Sequence, residues 1–212
     1  MKLVSIKAKV DPEKCIGCKI CERVCPVLAI QVVNRKAVEN DERCRGCANC
    51  ADRCPQYAIT MVKRDEPFTV GIDVTKFDYR QIRAMCEKAH LNPEQVLCYC
   101  TGTRADEVAA AILSGATTPE DISLVTGIRT GCTIECIQPL LRMVEAADLP
   151  LTPVAGGYQW YGVTPTIWDL SSDVKEKYND RGFFFDEDRE LLDKIVSTKT
   201  EIEAEMNRTD DE

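Results

Sequence analysis

The residues with the most chemistry in this 212-residue chain are its 13 cysteines. KCIGCKICERVCP, residues 14–26, places Cys15, Cys18, Cys21 and Cys25 in one short stretch, and RCRGCANCADRCP, residues 43–55, does the same with Cys44, Cys47, Cys50 and Cys54. Neither stretch is long enough to fold alone. The thiolate is a soft metal ligand, and the spacing C-x2-C-x2-C-x3-C-P is the run that binds cubane iron-sulfur clusters. Zinc also takes four thiolates, but zinc sites typically set two C-x2-C pairs apart by a longer loop rather than packing a third cysteine at x2. Gly17 and Gly46 let the backbone approach the sulfurs, where amides can hydrogen-bond a cluster and raise its potential. Two further pairs, Cys98-x-Cys100 and Cys132-x3-Cys136, lie downstream, and Cys86 stands alone, where a buried thiol acting as a small apolar side chain is the simplest reading.

Other reactive side chains are scarce. His90 is the only histidine, so a Rieske centre, which needs two on one iron, is excluded, and His-dependent triads lose their basis. At a predicted helix end, His90 is expected to meet the last carbonyls. No glycine-rich phosphate loop, base-nucleophile pair or carboxylate cluster in a plausible setting is visible, so the chain is expected not to be an enzyme with its own substrate site.

Composition narrows the setting. A hydrophobic fraction of 44% is ordinary for a globular protein, and no apolar run approaches the ~20 residues of a membrane helix. The opening MKLVSIKAKVDPEKC has no apolar core followed by a cleavage site, and disulfide frameworks belong to short secreted chains. The expectation is a cytoplasmic protein, not inserted in a membrane, whose thiols are free to bind metal. The formal charge of -8 is uneven: residues 1–65 hold 13 Lys and Arg against 8 Asp and Glu, net +5, whereas residues 151–212 hold 7 against 15, net -8. Thiolates around iron add negative charge locally, so the basic excess compensates cofactors and leaves no stripe for nucleic acid.

The elements that must position the cysteines show a repeat. The first four cysteines map onto the second four by a constant offset of 29 residues, and Pro26, Ala29 and Ile30 map onto Pro55, Ala58 and Ile59. Each half reads as a cysteine loop, a short turn after Cys-Pro and flanking strands such as LVSIKAKV and AITMVK. About 30 residues cannot bury enough apolar surface alone, so two halves plus inorganic cofactors must supply the core.

Two full copies of the run, both prolines included, resemble the bacterial two-cluster ferredoxins over residues 1–65. The resemblance implies one 4Fe-4S cluster on Cys15, Cys18, Cys21 and Cys54, and another on Cys25, Cys44, Cys47 and Cys50, the fourth cysteine of each run serving the other cluster.

A connector, residues 66–95, is predicted to hold one helix near 76–90, with Phe77, Ile82, Met85 and Ala89 on its apolar face. Residues 96–150 follow as a small helical module. Thr103-x-x-Asp106 reads as a capping box before EVAAAILS, Thr118-Pro119 opens a second helix ending near Gly127, and PLLRMVEAA forms a third. With SGATTPEDISLVTG and TGC, this module resembles the bacterioferritin-associated-ferredoxin type of 2Fe-2S domain, whose ligands would fall on Cys98, Cys100, Cys132 and Cys136. Its second pair is spaced x3 where the family has x2. Positions i and i+4 still share a helix face, and the wider bite leaves 4Fe-4S, zinc or an empty site as alternatives.

Residues 151–212 read as an aromatic arm, LTPVAGGYQWYGVTPTIWDL, then an amphipathic helix capped by Asp186 with Leu191, Leu192, Ile195, Val196 and Ile202 on one stripe. The arm suits either a partner's pockets or the chain's own helical module. The expected fold is α+β: a ferredoxin-like two-cluster domain, a small all-α iron-sulfur domain, and an extended arm with a C-terminal helix. The expected function is a relay of single electrons, as a subunit of or dedicated donor or acceptor for a larger oxidoreductase, in a stable complex. Exposed low-potential clusters are damaged by oxygen, which points to an anaerobic host. Iron or cluster trafficking is the first rival, and redox sensing the second.

Overall fold

In a computed structural model, residues 2–157 and 162–209 are described. Strand β1 (Lys2–Val10) pairs antiparallel with β4 (Ile59–Val70), in register from Lys2 opposite Val70 to Val10 opposite Ile59, with a bulge between Val4 and Ile6. β1 buries Val4, Ala8 and Val10, the alternation expected of a half-buried strand. β4 runs past residue 65, into the stretch read from sequence as connector. The reason is pairing: Phe68, Thr69 and Val70 supply the ladder partners of Val4, Leu3 and Lys2.

Between these strands sit the two cysteine loops with their short helices, α1 (Ile20–Val24) and α2 (Asn49–Asp52), and a hairpin of β2 (Ile30–Val33) and β3 (Lys36–Glu39). Asn34 and Arg35 turn that hairpin with φ of 49° and 63°, the pair of positive φ values that a two-residue turn of matching twist requires. The repeat survives in the backbone. Lys19 and Ala48, 29 residues apart, have φ of 66° and 64°, and Leu28 and Tyr57 have φ of 52° and 48°. The core of this unit is built largely of cysteine and small residues: Cys21, Cys25, Cys44 and Cys50 pack with Ala8, Ala29, Ala37, Val27, Ile30 and Ile59.

The second core belongs to α3 (Tyr79–Lys88), α4 (Ala105–Leu113), α5 (Pro119–Thr126) and α6 (Ile137–Ala146). Ile82, Leu91, Ile122, Ile128, Leu140 and Met143 have no exposed surface, and Cys86 is enclosed among such neighbours with burial pushing its thiol up to about 12, as an inert small apolar side chain. α5 starts as its sequence requires, with the Thr118 hydroxyl accepting from Asp121 N at 3.1 Å, Pro119 in the first turn and Gly127 closing it at φ 79°. α4 departs from expectation. Its box is formed one residue later, Glu107 accepting from Arg104 N at 2.9 Å, while the Thr103 hydroxyl is taken up by that of Thr101 at 2.7 Å and Thr103 and Arg104 form a two-residue strand. That strand, β6 (Thr103–Arg104), pairs with β5 (Val96–Cys98), so the module is not purely helical: the ladder holds the Cys98 loop against the start of α4.

The C-terminal segment also differs from a single capped helix. α7 (Ser172–Asn179) precedes α8 (Phe185–Ser197) and α9 (Glu201–Thr209), and the break after Ser197 has a tertiary cause. Thr200 N donates to Glu203 at 2.8 Å while Glu203 N donates to the Thr200 hydroxyl at 3.3 Å, a reciprocal capping box that starts α9. The buried Thr200 hydroxyl also accepts from Tyr79 at 2.9 Å, and Asn92 Nδ2 donates to the Thr198 carbonyl at 2.8 Å. Asp186 lies inside the first turn of α8 and caps nothing; it pairs with Lys175.

Part of the aromatic arm folds back on its own chain. Trp168 stacks on His90 with ring centroids 4.3 Å apart and its indole N–H donates to Asp193 at 2.7 Å. His90 N donates to the Glu87 carbonyl at 2.9 Å, while its ring serves the stack. Tyr158, Trp160 and Tyr161 of the arm lie outside the described residues. Among the described residues no helix is long and apolar enough to cross a membrane.

Candidate iron-sulfur centres

Two cavities sit inside the N-terminal unit, each ringed by four cysteines. One is lined by Cys15, Cys18, Cys21 and Cys54, together with Gly17, Ile20, Val32 and Ile59. The other is lined by Cys25, Cys44, Cys47 and Cys50, together with Ala8, Val27, Ile30 and Met61. The fold therefore gathers three cysteines from one run with the fourth of the other run at each cavity. The surroundings differ. The first cavity, here called outer, has Cys18 exposed, while at the second, called inner, Cys25, Cys44 and Cys50 are all buried.

Both cradles have features a cluster needs. Backbone amides aim at the sulfurs: Ala37 N donates to Cys15 Sγ at 3.3 Å, Ala29 N to Cys25 Sγ at 3.1 Å and Ala58 N to Cys54 Sγ at 3.3 Å. A methyl group on Gly17 would lie 2.5 Å from the Arg35 carbonyl oxygen, and one on Gly46 would lie 2.7 Å from that of Ile6, so both loops can be this tight only with glycine. Among the described residues, no three His, Cys, Asp or Glu side chains converge on a point as ligands of a single ion do. The cysteines line two cavities, a setting that a multi-iron cluster held by four thiolates can fill.

Burial raises the thiol pKa values, Cys21 and Cys47 to about 11 and Cys50 to about 12, and pushes Cys25 up as well. Without iron these side chains are therefore held protonated. Cluster loading must displace those protons, so it is coupled to both folding and pH.

The third set also converges. Cys98 and Cys136 share a hydrogen bond that holds Cys98 below and Cys136 above the ordinary thiol range, and the backbone amide of Arg129 reaches both. Cys132 N donates to Cys100 Sγ at 3.4 Å, and a methyl group on Gly131 would sit 2.4 Å from Cys100 Cβ, so the two loops touch through a glycine. The x3 spacing is accommodated differently from the helical argument. α6 begins at Ile137, Cys136 is its cap, and Cys132 lies in the preceding loop, where Thr133 at φ 58° reverses the chain toward Cys100. Cys98 and Cys136 are buried, whereas Cys100 and Cys132 are exposed.

Three basic residues that the cysteine pattern does not single out tie this module to the N-terminal unit. Arg129 is buried and 3.6 Å from the equally buried Glu120, and its Nη1 lies 3.4 Å from the carbonyl of Pro26, the residue after Cys25. Burial pushes the Glu120 carboxyl up, with Arg129 drawing it back. Arg45 Nε donates to the Leu124 carbonyl at 3.0 Å, and its guanidinium lies over Phe68. Lys2 Nζ donates to the Thr130 carbonyl at 3.0 Å and to the Thr130 hydroxyl. The only sequence signal for Arg129 is its position between Gly127 and Gly131, just ahead of Cys132. Lys2 and Arg45 carry none, because their partners are backbone carbonyls about 80 or more residues away.

Comparison with known families agrees with this geometry. Residues 7–71 match the family described as a 4Fe-4S dicluster domain, and residues 96–146 match the BFD-like [2Fe-2S] binding domain. No curated protein and no solved structure matches the chain. Domains of these two kinds serve electron transfer or cluster binding, and the cofactors they imply are two 4Fe-4S clusters and one 2Fe-2S cluster. The chain thus joins a segment that matches the 4Fe-4S dicluster family to one that matches the BFD-like [2Fe-2S] binding family.

Proposed function

We propose that this protein relays single electrons as a subunit of, or dedicated donor or acceptor for, a larger oxidoreductase, and has no substrate site of its own. In this reading Cys15, Cys18, Cys21 and Cys54 hold the outer 4Fe-4S cluster, Cys25, Cys44, Cys47 and Cys50 hold the inner one, and Cys98, Cys100, Cys132 and Cys136 hold a 2Fe-2S cluster. Bound clusters supply reversible one-electron chemistry. The chain's residues supply position, insulation and tuning: amides on Cys15, Cys25 and Cys54 favour the thiolates, and the apolar linings exclude water.

The observation that carries the reading is the packing of a second cysteine module directly against the inner cavity. The junction is sealed by Lys2, Arg45 and Arg129, each donating to a carbonyl across it. Trafficking would need a releasable metal, and a pair of cubanes each held by four thiolates adds little to handover. Exposed side chains at both ends suit docking: Ile16 and Tyr57 lie beside the outer site, and Tyr99 and Ile134 beside the third. A cytoplasmic, anaerobic setting is consistent with thiols left free for iron.

The first test is anaerobic iron and sulfide analysis with EPR of the dithionite-reduced protein, comparing wild type with Cys98→Ser. About ten irons, with a 2Fe-2S signal lost in the variant, is the expected result. About eight irons and an unchanged spectrum would leave the second module without iron and turn the argument toward zinc or metal handover. For the stable complex, α8 is the better probe than truncation, because α9 is tied to the helical module through Thr200 and Ile202. Leu191, Leu192 and Ile195 are exposed on α8, so Leu191→Asp with Ile195→Asp should abolish copurification of an oxidoreductase partner and leave the iron content unchanged. Full recovery of the partner with this variant would remove α8 from the docking surface.

A further inference from the structure

The junction brings particular cysteines into company. A small cavity there is lined by Val24 and Asn49, the neighbours of Cys25 and Cys50 in the chain, by Arg53, which precedes Cys54, and by Arg129, Thr133 and Ile137 from the stretch that carries Cys132 and Cys136. The hydrogen bonds of Arg45 to Leu124 and of Arg129 to the carbonyl after Cys25 set the loops of the inner site against the third module. Lys2 closes one side of this junction. Its stem packs over Gly127, its ammonium is hydrogen-bonded to Thr130, two residues before Cys132, and it lies within electrostatic reach of Cys47 on one side and of Cys98 and Cys100 on the other. It is half-buried, so solvent and salt screen it less than a surface lysine.

We infer that Lys2 is a positioning residue shared by the inner 4Fe-4S centre and the third centre, whose single positive charge raises the reduction potential of both while leaving the outer centre untouched. The inference rests on the three-centre relay reading above. A fixed cation favours the more negative, reduced state of any centre it faces, and a charge between two centres raises both together relative to the outer cluster. In this arrangement the pair joined by Lys2 is the inner and third centres, which orders the relay as outer, inner, third.

The test is a redox titration of the full holoprotein followed by EPR, with hyperfine-shifted cysteine β-proton signals in NMR assigning each step to a cluster. Lys2→Met keeps most of the stem and removes the charge. The expected result is a downward shift of the inner and third potentials, an unchanged outer potential, and return toward wild-type values in Lys2→Arg. A shift at one centre only, at all three or at none overturns the inference, as does a shift that Lys2→Arg fails to reverse. Iron analysis on the same samples separates this from failure of the relay reading: about eight irons in the wild type would sink both, whereas about ten irons with the wrong pattern of shifts sinks the role of Lys2 alone.

Discussion

The outer and inner cysteine sites are two copies of one motif placed in two environments. Their loops share glycines of nearly equal φ, Gly17 at 71° and Gly46 at 67°, and their Cys-Pro turns share the amide-to-sulfur bonds of Ala29 and Ala58. What separates them is the neighbour. The helical module covers the inner site through Arg129 and Leu124, the latter held by Arg45 of the inner loop, while the outer site keeps Cys18 at the surface beside exposed Ile16 and Tyr57. Duplication supplies equal ligands, and tertiary packing makes them unequal in accessibility and field. That inequality is what a directional relay requires.

Stripping iron should erase the comparison altogether. The core of the N-terminal unit contains Cys21, Cys25, Cys44 and Cys50, so chelation is expected to unfold both halves together, while the aliphatic core around Ile82, Ile122 and Leu140 stays folded. Hydrogen exchange read by mass spectrometry checks this, and retained protection across residues 2–70 in the apoprotein would contradict it. Next in size are the glycines. Gly17→Ala forces a left-handed alanine against the Arg35 carbonyl, and Gly46→Ala does the same against Ile6, each costing about 1–3 kcal/mol in strain alone. Loss of about four irons is expected in each variant, the outer cluster in the first and the inner in the second. Equal damage to both clusters by either variant would show that the halves do not load separately.

A brief exposure to air should sharpen the difference that these variants blur. With Cys18 exposed and Cys25, Cys44 and Cys50 buried, the outer cluster is expected to be lost first, read as a biphasic decay of the visible absorbance with the outer β-proton signals fading ahead of the inner ones. A single phase with both sets fading together would argue against protection by the helical module. The smallest effect is expected from Arg45→Ala, which removes the hydrogen bond to Leu124, two local ones to the carbonyls of Glu42 and Arg43 and a contact with Phe68; those local carbonyls can turn to water, which leaves about 1 kcal/mol or a little more. It should speed amide exchange around Cys44–Cys50 and shorten the lifetime of the inner cluster in air without changing the outer one. Unaltered exchange there would mean that the seal rests on Arg129 and Lys2.

Much of the molecule was legible in the residues themselves. The 29-residue offset announced two equal cysteine loops, Gly17 and Gly46 announced their tightness, and Thr118, Pro119 and Gly127 bounded α5 at both ends. These signals are local: a cap, a tight turn or a ligand spacing is satisfied within a few residues, so composition and order suffice to determine it. Even the box that starts α9, Thr200 with Glu203, was written in the sequence, although an apolar stripe running through it concealed the break.

The remainder was decided only when distant segments met. Thr103 left its capping role to pair in a strand, Asn92 and Tyr79 held the gap between α8 and α9 from more than 100 residues away, and Trp168 found the ring of His90. The same holds for the electrostatics that distinguish the sites. Lys2 and Arg129 look like ordinary charges in a list of residues, and their partners are carbonyls, which every residue possesses and no pattern marks. By itself the sequence determined the cysteine runs, their spacing and their repeat; tertiary structure decided which runs share a cavity and which of two equal sites is covered, because burial and field depend on what packs outside a motif.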